Sequence, residues 1–319
     1  MLLQLIILIV GLALIIFGAD WLVDGASAIA RKAGISEFVI GLTIVGFGTS
    51  CPELVVSLTG AIAGNSDISI GNVVGSNIFN TILILGLTAV LSPIAITREN
   101  KRRDIPITMA VTLLLILCGM GGTLFGLGKG DVLNRVDGAV FLILFVVYMY
   151  SCFKNDNGLV EEEHNEKEIK LLPAILMVLA GLAALIFGGD KLVDAATSIA
   201  QMLGISDKFI AVTILAGGTS LPELATCIVA AAKKKGQLAL GNILGSNVFN
   251  ILLILGCSAL VHPISLAGMN LVDMGVLLLS AVLVFTSAYT GKKDEIDRFD
   301  GVVMLLCEVA YLTWLIIKL

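Results

Sequence analysis

The chain has 319 residues, of which 57% are apolar and only 14% are charged, and its mean hydropathy is +1.01. Soluble globular chains average about 45–50% apolar and about 25% charged residues, so the composition argues against a soluble enzyme and a disordered chain. The net charge of −5 offers no basic surface for nucleic acid. Six scattered cysteines form no CxxC or Cys/His cluster, and we interpret them as small buried hydrophobic residues without a disulfide or a metal site.

Long apolar runs predict an all-α polytopic membrane protein with ten transmembrane helices, because a bilayer core about 30 Å thick needs roughly 20 apolar residues per helix. The first run has no basic start and no cleavage site, which indicates a membrane helix and not a signal peptide. The polar segment 154–170 is too short to fold alone and is predicted to link two halves, 1–153 and 171–319. The ten helices are predicted near residues 2–29, 37–63, 68–92, 105–126, 136–153, 171–200, 208–232, 238–261, 271–290 and 299–317.

An internal repeat organises these helices. Residues 17–94 match residues 187–264 at a constant offset of 170, and 36 of the 78 positions are identical. Five helices therefore recur as five helices. Because five is odd, the second copy must lie inverted in the membrane, and inverted repeats with sites near the bilayer midplane are typical of transporters.

The basic residues predict the same inversion through the positive-inside rule. Equivalent loops exchange charge between the copies: Arg31 and Lys32 become Gln201 and Met202. We therefore predict a multi-pass protein of the cell (inner) membrane, with both termini outside and the central linker in the cytoplasm. With that orientation, the only basic residues in outer loops or at the outer end of the chain are Lys129, Arg135, Lys208 and Lys318.

Two glutamates, Glu53 and Glu223, lie deep in predicted membrane helices at equivalent positions of the repeat. A charge at mid-bilayer costs roughly 2.5–3.5 kcal/mol on insertion scales, so an intramembrane acid indicates function by default. Each glutamate ends the sequence Gly-Thr-Ser-x-Pro-Glu. Pro52 and Pro222 lack an N–H group, which frees backbone carbonyl groups one turn earlier.

Polar residues at helical spacing complete a predicted ion site. Thr49 and Glu53 are four residues apart and share a predicted helical face, with Ser50 beside them. Carboxylate, hydroxyl and amide oxygens suit Ca²⁺ and Na⁺ and do not suit Zn²⁺ or copper. Helix packing alone is the competing interpretation. It is disfavoured because both copies share the Glu, the Pro, the Thr-Ser pair and the downstream Ser/Asn pair at one register. The predicted side-chain ligands are Thr49, Ser50, Glu53, Ser76, Asn80, Thr219, Ser220, Glu223, Ser246 and Asn250.

Other acidic residues carry weaker signals. The pairs Asp20/Asp24 and Asp190/Asp194, in the first helix of each half, fit either an ion access path or structural acids that are paired or solvated. Glu308 lies in the last predicted helix and has no equivalent in the first half. We favour a structural or oligomer-facing role for it.

The doubled motif GTSCPE and GTSLPE, each followed by GN-x-x-GSN-x-FN, resembles the two alpha-repeats of the sodium/calcium exchanger family, within the cation/calcium exchanger superfamily. The resemblance covers essentially the whole chain and is closest to the compact prokaryotic members. It implies ten helices in two inverted halves, ions held at the positions given above, and additional backbone carbonyl ligands near Gly46 and Ala216.

The same resemblance implies a secondary antiporter that extrudes cytoplasmic Ca²⁺ in exchange for Na⁺ by alternating access. Such a protein is not an enzyme, and Ca²⁺ and Na⁺ are its substrates; we expect no cofactor and no obligate protein partner. The first and sixth helices are long, glycine-bearing and free of clustered ligands, so we expect them to move against the ligand-bearing core.

One departure from the family pattern concerns charge. Some prokaryotic and potassium-dependent relatives carry Asp at the position of Asn250, whereas Asn80 and Asn250 are both neutral here. The site then has two acids instead of three, which argues against K⁺ co-transport. Exchange of one Ca²⁺ for more than two Na⁺, as the resemblance implies, would be electrogenic.

Several other functions compete with this interpretation. A proton/calcium antiporter that uses the same glutamates is the nearest rival, and a passive channel would share the ligand chemistry. An ATP-driven pump is disfavoured because the sequence has no GxxxxGK[ST] motif. An intramembrane aspartyl protease is disfavoured because the only GxGD match, Gly128–Asp131, lies in a polar loop.

Overall fold

The computed structural model describes residues 1–126, 130–156, 169–204, 216–290 and 294–318, and these ranges are almost entirely helical. Four stretches within these ranges have π-helical hydrogen bonding: Gly41–Val45, Phe79–Leu85, Asn100–Asp104 and Phe249–Leu255. The α-helices are α1 (Leu2–Ala33), α2 (Glu37–Ile40), α3 (Gly46–Thr49), α4 (Cys51–Ile62), α5 (Ser66–Ile78), α6 (Gly86–Leu91), α7 (Ile105–Gly119), α8 (Gly121–Phe125), α9 (Arg135–Lys154), α10 (Leu171–Met202), α11 (Ala216–Gly218), α12 (Leu221–Ala232), α13 (Gly236–Val248), α14 (Gly256–Val261), α15 (Leu271–Thr290) and α16 (Arg298–Lys318).

Seven continuous helical segments within the described ranges are long and apolar enough to cross a membrane, and a bent pair formed by Glu37–Thr49 and Cys51–Ile62 makes an eighth. The predicted fourth helix is the 15-residue α7, extended at its start by a π-helical turn. Residues 205–215 of the predicted seventh helix lie outside the described residues, and α12 forms the rest. An all-α membrane architecture is therefore confirmed, while the count of ten stays a prediction.

In the described part of the chain, two very short antiparallel β-pairs join the halves. Strand β1 (Ile94–Ala95) pairs with β4 (Glu295–Ile296), and β2 (Val132–Leu133) pairs with β3 (Ile264–Ser265). Each pair links a loop of the first half to a loop of the second half. The two pairs are related by exchanging the halves, since β1 and β3 occupy equivalent positions of the repeat.

Helices α1 and α10 form a long antiparallel pair. Each has 32 residues and so measures about 48 Å at 1.5 Å per residue. Small residues let the two backbones touch: a Cβ atom added at Gly18 would lie 2.9 Å from the carbonyl oxygen of Gly181, and one at Gly188 would lie 2.9 Å from that of Gly11. Close backbone approach at small residues is the usual basis of helix association in membranes.

The centre of the protein is α13, whose residues are buried from Leu238 to Val248. It lies against the helix that begins the bent pair of the first half. A Cβ atom at Gly241 would lie 2.2 Å from the carbonyl oxygen of Phe38, and one at Gly245 would lie 2.5 Å from that of Leu42. This backbone contact between the halves brings the two predicted ligand motifs together.

Adjacent glycines on α10 provide a matched test of the close α1–α10 contact. We expect Gly188→Ala to lower the free energy of unfolding by about 1–3 kcal/mol, because overpacking a tight contact has that cost. Gly189 has no atom within 4 Å of an added Cβ, so Gly189→Ala should be neutral or stabilising by up to about 1 kcal/mol. Thermal unfolding of both purified variants measures the difference. Equal stability of the two would contradict a packing role for Gly188.

Candidate functional site

Each predicted ligand motif lies at a break between two helices. Ser50 and Ser220 leave the helical conformation, with ψ near 7° in both, and Pro52 and Pro222 occupy the first turns of the helices that follow. In the first half the helix axis bends by 49° at this break. Glu53 therefore lies in the first turn of α4, where the positive end of the helix dipole favours a carboxylate.

The two glutamates are fully buried and their contacts run between the halves. Ser50 Oγ lies 3.0 Å from Glu223 Oε1, and Ser220 Oγ lies 3.3 Å from Glu53 Oε1. The break turns Ser50 away from the glutamate of its own motif, so the helical face shared by Thr49, Ser50 and Glu53 is not the arrangement found. Each half instead supplies hydroxyl groups to the acid of the other.

The following helix of each half adds one more hydroxyl group. Ser246 Oγ lies 3.4 Å from Glu223 Oε1 and 2.9 Å from Ser50 Oγ, and Ser76 Oγ lies 3.5 Å from Glu53 Oε1. The spacing of the Ser76 and Ser246 motifs predicted this convergence. Each carboxylate thus faces two serine hydroxyl groups, one from each half.

Two asparagines that the sequence analysis did not single out hold the threonines. Thr49 Oγ1 lies 3.1 Å from Asn242 Oδ1, and Thr219 Oγ1 lies 3.5 Å from Asn72 Oδ1. Asn72 also donates to the backbone oxygen of Glu53 at 3.1 Å. Asn72 and Asn242 are the first asparagine of the repeated GN-x-x-GSN motif. The repeat itself was therefore the signal that could have identified them.

Asn80 and Asn250 each lie one residue into a π-helical segment, at equivalent positions. Asn250 Nδ2 donates to Asn77 Oδ1 at 2.9 Å, while its own Oδ1 is buried without a partner. Both polar side-chain atoms of Asn80 are buried without a partner. Single π-turns inside α-helices are frequent at functional sites, and these two leave amide oxygens available to a ligand.

Of the two predicted backbone ligands, Gly46 lies within the site: Ser246 Oγ lies 3.4 Å from its carbonyl oxygen. Ala216 begins α11, directly before the second break. Its side chain lies outside the described residues.

The two buried carboxylates make cation binding at the site electrostatically favourable. Glu53 Oε2 and Glu223 Oε2 are buried without a hydrogen-bond partner. Within the described ranges, no lysine, arginine or histidine forms an ion pair with either glutamate. A buried charge without a partner is strongly destabilising. Two carboxylates surrounded by neutral oxygens are the donor set of a hard cation such as Ca²⁺ or Na⁺.

The remaining predicted acids lie apart from this cluster. Asp20 and Asp24 both pair with Lys233, and Asp190 and Asp194 pair with Lys191 of their own helix, which supports the interpretation as paired acids. Glu308 is buried, and its Oε2 has no partner.

Comparisons with known proteins point in one direction. The family model for sodium/calcium exchanger proteins matches residues 3–154 and 173–317. The sodium/calcium exchanger MaX1 of Methanosarcina acetivorans is 35% identical over 340 residues, covering 96% of this chain and 97% of that protein. The inner membrane protein YrbG of Escherichia coli is 34% identical over 329 residues, covering 99% and 98%.

A solved structure extends the similarity to the fold. A structure of the sodium-calcium exchanger NCX_Mj soaked with Na⁺ superposes with a TM-score of 0.84 at 33% identity and covers 98% of both chains. Other structures of that exchanger, soaked with Na⁺ and Ca²⁺ or with Na⁺ and Sr²⁺, superpose equally well.

The asparagines behind the threonines generate a prediction about cation binding. Asn72→Ala removes hydrogen bonds to Glu53 O and to Ser57 Oγ, and a lost buried hydrogen bond costs about 1–3 kcal/mol. We expect Ca²⁺ to bind about tenfold more weakly, since 1.4 kcal/mol is a factor of ten. The Ca²⁺-dependent rise in unfolding temperature measures this.

Asn155→Ala is the matched control, because Asn155 is exposed and, among the described residues, its side chain bonds only to Ser151 in the last turn of α9. An Asn72 variant that is stabilised by Ca²⁺ as strongly as this control would show that Asn72 does not position the site.

Proposed function

Because the chain belongs to the sodium/calcium exchanger protein family, we propose that it exchanges Ca²⁺ for Na⁺ across a membrane through the site between Glu53 and Glu223. The family consists of ion transporters and not enzymes, and Ca²⁺ and Na⁺ are substrates that require no cofactor. The observation that carries the proposal is the reciprocal site: two buried carboxylates, each held by hydroxyl groups of the opposite half and each with one free oxygen.

The proposed organisation is a first repeat at 1–153, a cytoplasmic linker at 154–170 and an inverted second repeat at 171–319. Reciprocal contacts support it, because Ser50–Glu223 and Ser220–Glu53 are the same contact with the halves exchanged. The distribution of basic residues supports termini outside a cell (inner) membrane. Most of the linker, residues 157–168, lies outside the described residues.

Alternating access is proposed to occur by movement of α1 and α10 as one body against the remaining helices. Their glycine contacts extend from Gly11 to Gly25 along α1, so the pair is joined along much of its length. Neither helix contributes a ligand to the site. This division into a moving pair and a ligand-bearing core leaves the site geometry intact while the access to it changes.

The charge of the site favours electrogenic, K⁺-independent exchange that extrudes Ca²⁺. Two carboxylates balance one Ca²⁺ or two Na⁺, and a third Na⁺ would add one uncompensated positive charge. Asn80 and Asn250 can coordinate that ion through amide oxygens but cannot neutralise it. The membrane potential would then contribute roughly 2.3 kcal/mol per net charge per 100 mV, which drives Ca²⁺ out of a cell with a negative interior.

We predict that Glu53→Gln and Glu223→Gln each abolish Na⁺-driven Ca²⁺ flux in folded protein, because each removes half of the charge that faces Ca²⁺. The measurement is Ca²⁺ uptake into proteoliposomes loaded with Na⁺, compared with K⁺-loaded and pH-jumped liposomes. Glu308→Gln is the matched control, since Glu308 is also a buried membrane glutamate but lies outside the site, and it should retain flux.

Near-normal transport by either site variant would overturn the assignment of these ligands. Ca²⁺ uptake by the unmodified protein that follows a pH jump and ignores Na⁺ would instead favour the proton/calcium antiporter. Ca²⁺ flux that needs no counter-ion would indicate a channel.

A second prediction concerns Asn250. In Asn250→Asp a carboxylate replaces the amide that donates to Asn77 Oδ1, so two acceptors face each other unless the carboxyl holds a proton or a cation lies between them. At low pH the protonated form donates as asparagine does, and at higher pH the charged form adds a third acid. We expect flux in the variant to gain a pH dependence near neutrality.

Flux at potentials clamped with valinomycin tests the charge balance of the unmodified site. We expect exchange to depend on voltage and to proceed without K⁺ as a substrate. Exchange that ignores voltage, or that stops when K⁺ is absent from both sides under a clamp set by another ionophore, would show that the charge assigned to the site is wrong.

A further inference from the structure

A lysine from the second half fastens the proposed moving helix pair to the ligand-bearing core. Lys233 Nζ lies 2.7 Å from Asp20 Oδ1 and 2.5 Å from Asp24 Oδ1, both on α1. Lys233 directly follows α12, the helix whose first turn carries Glu223. Burial lowers the pKa of Lys233, but the hydrogen bonds and charges of the two aspartates outweigh this and raise it, so the lysine stays protonated.

Among the residues that the structure describes, the opposite end of the helix pair has no equivalent ion pair to the core. The repeat places Asp190 and Asp194 at the positions of Asp20 and Asp24, and Ala63 at the position of Lys233. The side chains of these aspartates are 61% and 64% exposed, and within the described ranges they pair only with Lys191 of their own helix. The packing is equally one-sided, since α1 lies along α12 while α10 and α4 make no comparable contact.

From this asymmetry we infer that Lys233 is a positioning residue for transport. It holds the α1–α10 pair against the core and favours the state in which the ion site is closed to the side of the membrane where Lys233 lies. The inference rests on the proposed exchange function, and with the proposed orientation the closed side is the cytoplasmic one. The state that opens to the cytoplasm is expected to resemble the structure described here, with the roles of the two halves exchanged.

The spacing of the aspartates explains how one lysine distinguishes two positions of α1. Asp20 and Asp24 are four residues apart, which is about 6 Å along a helix. In the present position Lys233 reaches both carboxylates. If α1 slides by about one turn in either direction, the lysine can reach one of them at most, so every step away from this position loses an ion pair.

The first test removes the fastening. Partly exposed ion pairs contribute about 0.2–1 kcal/mol each, so Lys233→Gln should shift the equilibrium about two- to fivefold toward the state open to the cytoplasm. The apparent affinity for Ca²⁺ should then become tighter at the cytoplasmic face and weaker at the external face, and the two fold-changes multiplied together should equal that factor. Ca²⁺ titrations of exchange in inside-out and right-side-out membrane vesicles measure the two faces separately.

The second test builds the missing counterpart. Ala63 is exposed at the end of α4, so Ala63→Lys combined with Lys191→Gln offers Asp190 and Asp194 a lysine from the core. This variant should shift the two affinities in the same direction as Lys233→Gln, because a lysine that holds α10 against the core at the external end favours the state closed on that side, which is the state open to the cytoplasm. Ala63→Gln with Lys191→Gln is its control and should resemble Lys191→Gln alone.

A merely structural role for Lys233 would lower the amount of folded protein or the affinity at both faces equally, and it would not make Lys233→Gln and the variant with Ala63→Lys shift the affinities in the same direction. Unchanged affinities in both folded variants, or equal changes at both faces, would overturn the inference. If Lys233→Gln does not fold, Asp20→Asn with Asp24→Asn takes its place.

Hydrogen exchange keeps this test separate from that of the exchange function. Loss of the fastening should speed amide exchange at the α12 end that carries Lys233, whether or not the protein transports Ca²⁺ for Na⁺. An unmodified protein that carries no Na⁺-driven Ca²⁺ would therefore refute the proposed function alone. Unchanged amide exchange in Lys233→Gln would refute the fastening.

Discussion

Two carboxylates buried in a membrane protein without a protein cation beside them are the constraint from which the other features follow. Glu53 and Glu223 each keep one oxygen without a partner, and an unbalanced pair of buried charges is far more costly than a balanced one. The site therefore has its lowest energy when it holds Ca²⁺ or Na⁺. An empty site would leave both negative charges unbalanced in the low-dielectric interior when access is closed on both sides, so the proposed conformational change is easier when an ion is bound. This difference is what distinguishes obligatory exchange from leakage.

The ligands lie among tightly packed backbone, and the movement proposed for alternating access belongs to a separate part, the α1–α10 pair. The site is formed where backbone meets backbone, at contacts such as Gly241 with Phe38, and such contacts cannot slide without clashes. The α1–α10 pair also has tight glycine contacts, but these lie between its own two helices. Its attachment to the core includes ion pairs of Lys233, which can break and re-form at small cost. Tight packing within each body and weak contacts between the bodies allow two positions without remodelling the site.

The sequence predicted the membrane architecture and the residues at the centre of the site, because both depend on composition and on exact repetition. The length of the apolar runs indicated the helices, and the doubled motif indicated Glu53 and Glu223. The sequence did not predict that Ser50 would contact Glu223 in place of Glu53. Helical spacing assumes a continuous helix, and Pro52 interrupts the helix at this point. The π-helical turn at Asn80 has no simple sequence signature. The contacts of Asn72 were not predicted either: the repeated motif marks this residue, but the motif alone does not show that Asn72 donates to the backbone of Glu53.

The exchange of contacts between the halves has a consequence for the origin of the protein. Neither half contains a complete coordination shell: the acid comes from one half and one of its serine partners, Ser50 or Ser220, from the other. With the halves inverted as proposed, a single five-helix ancestor could have built this site only as two separate chains inserted in opposite orientations. Gene duplication followed by divergence of the loop charges would then have fixed one orientation for each copy. The replacement of Arg31 and Lys32 by Gln201 and Met202 is the kind of change by which a chain once indifferent to its direction of insertion becomes committed to one.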